Sequence, residues 1–410
     1  MQDYELVTLS NGIRIAHREA PNTKIAHVGI MVDIGSRDEN PEEQGIAHFW
    51  EHMAFKGTHK RKAFHIIDRL DSLGGELNAY TTKEKICFYA AVLDNHLDKA
   101  IELLCDITFN STFAPAQIDK ERMVILEEMS MYLDTPEDAI QDDFDAVVFN
   151  DHSLGKNILG TIDTVSSFKQ KDFLSFISKN LNTEKIILTS VGNYSLKKLL
   201  KLSEKYLQDI PHKNKINARL SFDQYQVRGT EVKRQITQSH AAIGSTSYDL
   251  KNELRIPFFL LVNIFGGPGM NSRLNLSLRE KYGFVYGIDA NYSPYIDTGM
   301  FSIFFATDPK NLNKSFQLIE KEMNLLKNKP LGNIQLHKAK QQIKGQLAMS
   351  EENNNALMLM MGKSLLDLNQ VPDLTQLFQT IDNITSAELQ ELAKESLNMD
   401  QMCRLTYHAE

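Results

Sequence analysis

Two histidines and a glutamate lie close together near the start of the sequence, in the order His48, Glu51, His52. On an α-helix, residues four apart project from one face, so both imidazoles would reach one metal ion with the Glu51 carboxylate beside them. Two neutral imidazoles and one further ligand leave a coordination position for water, whose proton a nearby carboxylate can take. The pattern His-x-x-Glu-His therefore predicts a hydrolytic zinc site.

The residues around this motif predict a buried helix. Pro41, with Glu42 and Glu43, predicts its start, and Gly57 predicts its end. The apolar positions are Ile46, Phe49, Trp50, Met53 and Phe55. Burying unpaired imidazoles and carboxylates on such a helix is costly, so they need either a metal ion or ion-pair partners. The motif favours the metal.

A second helix, predicted over Gln117–Met131, carries the acidic residues Glu121, Glu127 and Glu128. Glu121 and Glu128 are two helical turns apart and point the same way, so one of them could complete the metal site. A solvated acidic face is the alternative reading of such a run. The apolar residues at positions 124–126 favour a largely buried helix.

Composition limits the class of protein. The chain has 42 % apolar residues, as in ordinary globular proteins, and its formal net charge is −8. Its length of 410 residues suggests two or more domains. The acidic balance argues against general nucleic-acid binding, because no basic excess neutralises phosphates. The basic run Lys56–Lys62 is predicted to be solvated surface.

The sequence also predicts a cytoplasmic protein. Its first residues lack the basic start and apolar run of a signal peptide, and they do not resemble a transit sequence. Three widely spaced cysteines fit reduced thiols better than a disulfide framework. The longest apolar run, residues 356–361, is too short to span a membrane and predicts a core helix.

An internal repeat predicts the architecture. A strand followed by a helix near residues 88–103 resembles a second copy at 303–318, at a constant offset of 215. We therefore predict an α+β fold of two similar α/β domains, each a mostly antiparallel sheet packed with helices. The predicted boundaries are 1–212 for the zinc-binding domain, 213–226 for a linker and 227–410 for the second domain.

The second half has no His-x-x-Glu-His of its own. Its glycine-rich stretch, residues 265–270, lacks the Lys-Ser/Thr ending and the Gly-x-Gly-x-x-Gly pattern of phosphate-binding loops. A flexible lid or hinge is the better interpretation. Nucleotide binding rests on this loop alone.

Four stretches together carry a family resemblance: His48–Thr58, Gly74–Thr81, Glu121–Glu128 and Leu278–Tyr286. With them the chain resembles the pitrilysin, or insulinase, family of zinc metallopeptidases, in the short-chain branch that includes the mitochondrial processing peptidase subunits. The resemblance implies one zinc ion per chain held by His48, His52 and Glu128, with Glu51 as general base and Glu121 supporting the site from behind. The residues before the acidic pair favour Glu128 over its neighbour Glu127.

The same resemblance implies peptide substrates that add to an edge strand at Asn78 and Ala79. Arg279 and Tyr286 match the family's arginine–tyrosine pair, which bonds the substrate carbonyl and stabilises the oxyanion. A surface ion pair and a core aromatic are the alternatives for these two residues. Since one half-length chain holds both elements, the resemblance implies a homodimer with composite active sites, although a heterodimer is an alternative.

Two function classes compete with a zinc endopeptidase. A non-catalytic or processing-type assembly subunit of the same fold would typically have eroded motifs, and those of this chain are intact. A nucleotide-dependent enzyme has only the glycine loop in its favour. We therefore expect hydrolysis of peptides or unfolded segments within a dimeric chamber, without nucleic-acid or membrane partners.

Overall fold

The computed structural model describes residues 4–215 and 218–410 of the chain. Within them the strands form a six-stranded and a five-stranded sheet, and helices pack against both, which confirms the predicted α+β class. The predicted linker, 213–226, includes positions 216 and 217, which lie outside the described residues. None of the described helices combines the length and apolar character needed to cross a membrane.

Strands and helices are numbered separately in chain order. The strands are β1 (Glu5–Thr8), β2 (Arg14–Glu19), β3 (Ile25–Val32), β4 (Glu76–Thr81), β5 (Ile86–Leu93), β6 (Ile186–Gly192), β7 (Gly229–Arg234), β8 (Ser239–Ser247), β9 (Val285–Pro294), β10 (Gly299–Thr307) and β11 (Cys403–Ala409). The helices are α1 (Ile46–Ala54), α2 (Ala63–Asp71), α3 (Leu97–Phe109), α4 (Pro115–Asp134), α5 (Pro136–Phe149), α6 (Ile162–Ser167), α7 (Gln170–Asn180), α8 (Leu196–Leu207), α9 (Arg255–Gly266), α10 (Leu312–Asn328), α11 (Asn333–Glu352), α12 (Asn354–Leu368), α13 (Leu374–Asn383) and α14 (Ser386–Ser396). A π-helical segment spans Asn275–Lys281.

The first sheet has the strand order β1-β2-β6-β3-β5-β4, so β4 is an edge strand. Only β2 and β6 run parallel; the other neighbours are antiparallel. The pattern of residues 5–17 by itself predicts a single strand, but these residues form the hairpin of β1 and β2, because Gly12 takes a turn conformation with φ 90°.

Helices cover both faces of this sheet. On one face Val28 and Ile30 of β3 share a core with α3, while on the other Met31 packs with Met358 and Met361 of α12. The alternating pattern of Lys24–Ile34 by itself predicts a half-buried strand, with only its even-numbered residues inside. That expectation is wrong, because α12 comes from the distant C-terminal half and covers the second face.

The second sheet has the order β7-β11-β8-β10-β9, with β7 and β11 parallel and the other pairs antiparallel. Helix α5 packs against β8 and β11, with Phe144 and Val148 beside Ala242 and Leu405. A separate core contains buried residues of α9, α10 and α14, among them Phe265, Ile319 and Leu392. This sheet is therefore also covered on both faces.

Contacts between residues divide the chain into two compact units. The first unit comprises the described residues of 1–130, 156–219 and 350–372, and the second comprises 131–155, 220–349 and 373–410. Helix α5 belongs to the second unit and α12 to the first, so each unit is built from separate chain segments. The boundaries at 212 and 227 stay a prediction.

The internal repeat extends over most of the two units. β2 begins at Arg14 and β7 at Gly229, an offset of 215, and the same offset takes β3 onto β8 and β5 onto β10 within two residues. Helices α4 and α5 are likewise followed, at nearly this offset, by α11 and α12. The duplicated α+β architecture is therefore present in both sequence and structure.

Helix α1, which carries the histidine motif, begins at Ile46 and not at Pro41. Residues Pro41–Glu43 form a separate 3-10 turn, and Gly45 follows it with a left-handed φ of 91°. A Cβ atom at this glycine would lie 2.5 Å from the carbonyl oxygen of Leu159. Position 45 therefore requires glycine for both its backbone angle and its close contact.

The carboxylate of Glu39 caps this helix. It accepts hydrogen bonds from the backbone N–H groups of Gly45 and Ala47, each at 2.9 Å. Helices leave such N-terminal donors without intrahelical partners, so the bonds satisfy groups that would otherwise be buried and unpaired. Burial raises the pKa of Glu39, and the two backbone hydrogen bonds oppose that shift.

Ion pairs hold the loop that leads to the cap. The Arg219 guanidinium lies 3.0 Å from Asp33 Oδ1 and 2.8 Å from Asp38 Oδ2. Asp38 Oδ2 also accepts a hydrogen bond from the backbone N–H of Gly35 at 2.9 Å. The loop before α1 is thus tied to a residue almost two hundred positions later in the chain.

Replacing Glu39 by alanine should lower the free energy of unfolding by about 1–2 kcal/mol, because two backbone donors of α1 lose their acceptor. Chemical denaturation followed by circular dichroism of the metal-free protein measures the effect. Glu42→Ala is the matched control, since Glu42 is exposed in the neighbouring turn. An equal loss in both variants would contradict the capping role.

Candidate metal centre

Helices α1 and α4 bring three possible metal ligands together. His48 Nε2 lies 3.2 Å from His52 Nε2, and Glu128 Oε2 lies 3.6 Å from His52 Nε2 and 3.9 Å from His48 Nε2. The three donor atoms lie within 4.8 Å of one another. Across residues 4–215 and 218–410, no other group of three His, Cys, Asp or Glu side chains meets this criterion.

Hydrogen bonding fixes the orientation of the His52 ring. Its Nδ1 lies 2.9 Å from Glu121 Oε1 and donates to that carboxylate, which leaves the Nε2 lone pair facing His48 and Glu128. The other Glu121 oxygen lies 2.7 Å from Lys56 Nζ. Although burial alone would raise the pKa of Glu121, the bonds from His52 and Lys56 lower it. Glu121 therefore stays ionised behind the ligand.

The His48 ring is suited to metal binding because it is neutral. Burial and the neighbouring His52 ring lower the pKa of His48 to about 3. Two ring nitrogens that face each other at 3.2 Å beside a carboxylate form a donor set for a divalent cation. Two imidazoles and one carboxylate are also a common protein ligand set for catalytic zinc. The residues present therefore fit a zinc ion.

The Glu51 carboxylate lies beside this donor set without belonging to it. Its Oε2 accepts a hydrogen bond of 2.6 Å from the hydroxyl of Thr81, the last residue of β4. Burial raises the pKa of Glu51, and the Thr81 bond opposes the rise. A carboxylate with a raised pKa, held in one orientation, is suited to accept and return a proton near neutral pH.

Asn78 and Ala79 lie on β4, whose one strand partner in the described part of the chain is β5. Their strand therefore presents one unpaired backbone edge, and Thr81 brings its end to Glu51. An extended peptide can add to such an edge through main-chain hydrogen bonds.

Arg279 and Tyr286 belong to the second unit, whereas the histidines and glutamates above belong to the first. Arg279 lies in the π-helical segment, and its guanidinium is 5.2 Å from the centre of the Tyr286 ring. Its Nη1 lies 3.2 Å from Met270 Sδ. Tyr286 is 85 % exposed, so the alternative of a core aromatic is wrong.

The residues alone did not decide whether Glu127 or Glu128 is the third metal ligand, and the family resemblance favoured Glu128. In the structure Glu128 joins the two histidines, whereas Glu127 is exposed on the same helix. Lys56 was predicted to be solvated surface, and this is wrong because it pairs with the buried Glu121. Its position four residues after His52 was the one local signal for that role.

Thr81 was also missed as a partner of the site. A threonine at the end of a strand can have many partners, so its place in the sequence does not identify one. Its hydrogen bond to Glu51 depends on how β4 packs against α1. Only the packed structure brings these two residues together.

Two family models match the chain. Residues 14–162 match the family described as "Insulinase (Peptidase family M16)", and residues 167–343 match "Peptidase M16 inactive domain". The first match contains the histidine motif and Glu128. The second covers most of the half that lacks its own motif.

Relatives resemble the chain over nearly its full length. The sequence is 32 % identical to "Uncharacterized zinc protease YmxG" of Bacillus subtilis, over 96 % of this chain and 95 % of that protein. It is 34 % identical to an "Uncharacterized zinc protease" of Rickettsia bellii, over 96 % and 94 %. A crystal structure of a protease from Helicobacter pylori has the same fold, with a TM-score of 0.91 at 21 % identity and 99 % coverage of both chains.

Replacing Glu128 by glutamine should weaken zinc binding by more than about 100-fold. Mutation of a residue that only hydrogen-bonds a metal ligand typically lowers metal affinity about 10- to 100-fold, and loss of a ligand itself should cost more. Glu127→Gln, next to it on the same helix, should bind zinc like the unmodified chain. Titration with zinc and elemental analysis of the dialysed proteins measure the difference. Equal loss in the two variants would exclude Glu128 as a specific ligand.

Proposed function

The chain belongs to the insulinase family of peptidases, and from this premise we propose that it is a zinc-dependent endopeptidase acting on peptides or unfolded protein segments. The observation that carries the proposal is the convergence of His48, His52 and Glu128 within 4.8 Å, with the oriented Glu51 carboxylate beside them. Metal ligands alone would suit a structural site, but the adjacent carboxylate supplies a base.

Each residue around the metal has a distinct task in this proposal. His48, His52 and Glu128 would hold the zinc ion, and Glu121 with Lys56 would keep the His52 ring in its coordinating orientation. When bound, zinc supplies a positive charge that acidifies water and polarises a carbonyl group. Neutral His48 binds without first losing a proton, since its pKa is lowered to about 3.

Glu51 would act as the general base. It takes a proton from the attacking water and passes it to the nitrogen of the leaving amine, so the carboxylate is ionised again at the end of the reaction. Thr81 holds the carboxylate in one orientation throughout. Burial supports this role because it raises the pKa of Glu51 and makes proton return easier.

The substrate would bind as an additional strand beside β4. Main-chain groups of Asn78 and Ala79 lie on the edge strand that ends at Thr81, so a peptide paired there would run toward Glu51. Main-chain recognition needs an extended segment, which supports peptides and unfolded chains as substrates.

We further propose a homodimer in which Arg279 and Tyr286 of one chain contact the substrate at the metal of the other. The exposed Tyr286 ring and the guanidinium beside it support an interaction with a group outside the second unit. The tyrosine hydroxyl would donate to the developing oxyanion, and Arg279 would bind the neighbouring substrate carbonyl.

A cytoplasmic location is part of the proposal. The three cysteines, Cys87, Cys105 and Cys403, are buried and unpaired in the described chain. Free thiols of this kind are typical of proteins kept in a reducing compartment.

Replacing Glu51 by glutamine should leave zinc bound and reduce turnover by about 100- to 10,000-fold, the range for loss of a general base. Hydrolysis of quenched fluorescent peptides measures turnover, and elemental analysis measures the zinc. Glu42→Gln serves as the control. In the unmodified chain a chelator should abolish hydrolysis and zinc should restore it. Metal binding without chelator-sensitive hydrolysis would favour the assembly subunit instead.

Mixing Glu51→Gln chains with Tyr286→Phe chains should restore about a quarter of normal activity. Random exchange makes about half of the dimers mixed, and each mixed dimer has one intact composite site of its two. Differently tagged chains and native mass spectrometry verify the exchange. Complete exchange without recovered activity would contradict the composite site but leave the zinc site in place.

A further inference from the structure

A cavity of about 550 Å³ lies within the second unit, lined by residues of α9, the π-helical segment, α10 and α11. The buried residues of its lining are polar: Asn263, Ser272 and Ser277. Apolar side chains, including Leu276 and Leu331, complete its wall. None of the residues proposed above for the zinc reaction lines this cavity.

The internal repeat relates this cavity to the metal centre. Helices α9 and α11 are the counterparts of α1 and α4, and Asn263 stands 215 positions after His48. Helix α1 packs against β4 and α7, while α9 packs against β9 and α14, their counterparts in the repeat. Helix α11 follows α4 at an offset of 218, from Pro115 to Asn333, so Gln346 stands where the repeat would place Glu128. The second unit therefore keeps the helix pair and replaces the ligands.

Carboxamides take over the positions around this cavity. Asn263 Nδ2 donates to Gln346 Oε1 at 3.1 Å, and Asn271 Nδ2 donates to Gln342 Oε1 at 2.9 Å. Each pair retains a further amide N–H and C=O group, which match the donors and acceptors of a peptide backbone. Amides are poor zinc ligands, so this arrangement suits an organic ligand.

Positive charge converges on the cavity from three separate elements. Lys281 comes from the π-helical segment, Lys321 from α10 and Lys338 from α11. No ion pair joins any of the three to a carboxylate among the residues that the structure describes. Arg273 also lines the wall, but it is neutralised by Glu322 at 2.8 Å. The lining therefore has an excess of three positive charges.

We propose that this cavity binds an acidic segment of a peptide. The lysines would pair with its carboxylates, the amides would bond its backbone, and the apolar wall would contact neighbouring side chains. A free phosphate would use the charge but leave the amide and apolar surfaces without partners. The peptide nature of the ligand rests on the proposed function, whereas the excess positive charge does not.

Binding is tested on the full-length Glu51→Gln protein, which should not cleave the probe. A fluorescein-labelled peptide of alternating glutamate and leucine is titrated by anisotropy, beside the same peptide with glutamine for glutamate. Combined Lys281→Gln, Lys321→Gln and Lys338→Gln should weaken binding of the acidic peptide about tenfold, since exposed pairs contribute modestly one by one. The glutamine peptide should bind more weakly to the unmodified cavity.

The matched control replaces three exposed lysines outside the cavity, Lys171, Lys251 and Lys329, with glutamine. It changes the net charge equally and should alter affinity by less than about twofold. The single substitution Lys321→Gln, at an exposed position, should weaken binding of the acidic peptide less than the triple substitution does. Thermal denaturation checks that this variant is folded.

Equal losses in the cavity and control variants, or equal affinity for both peptides, would overturn the proposal. Inorganic phosphate provides the other comparison: full displacement of the peptide at equal concentrations would identify a site for free anions instead. Because the assay needs no hydrolysis, its failure leaves the zinc peptidase standing. Conversely, absence of hydrolysis with cavity-dependent peptide binding would reject only the peptidase.

Discussion

The first unit is arranged around one requirement: the carboxylates buried where helix α1 meets α4 and β4 need hydrogen-bond or ion-pair partners. Glu121 has Lys56 and the His52 ring, and Glu51 has Thr81. The helix itself starts on a carboxylate, Glu39, whose loop is tied down by ion pairs to Arg219. Unpaired, any of these groups would be strongly unfavourable in the interior.

The same environment gives three glutamates different chemical properties. Glu121 has a lowered pKa because its two hydrogen-bond partners outweigh its burial. Burial raises the pKa of Glu51 and of Glu128, although Glu51 keeps one hydrogen bond and Glu128 faces two imidazoles. A supporting anion, a proton carrier and a metal ligand can thus come from one residue type, with roles set by position.

Short-range patterns carried most of what the sequence predicted. The spacing of His48 and His52 is a local pattern within one helix. Each copy of the strand and helix repeat is likewise recognised from its own short segment, and both features are seen in the fold. What escaped prediction depends on distant segments. Glu39 caps α1 because a loop folds back, Thr81 meets Glu51 because β4 packs on α1, and β3 is covered on its second face by α12. Hydrophobic periodicity does not encode such pairings.

The exchange of α5 and α12 between the units affects how the chain is made. All six strands of the first sheet leave the ribosome before α12 does, so the face with Met31 and Ile187 stays uncovered while the second unit is synthesised. Helix α5, in turn, packs against β8 and β11, and β11 is synthesised more than 250 residues after α5. Neither unit can complete its core until the distant segment that covers it has been synthesised, and until then the nascent chain exposes apolar sheet surface that is prone to aggregation.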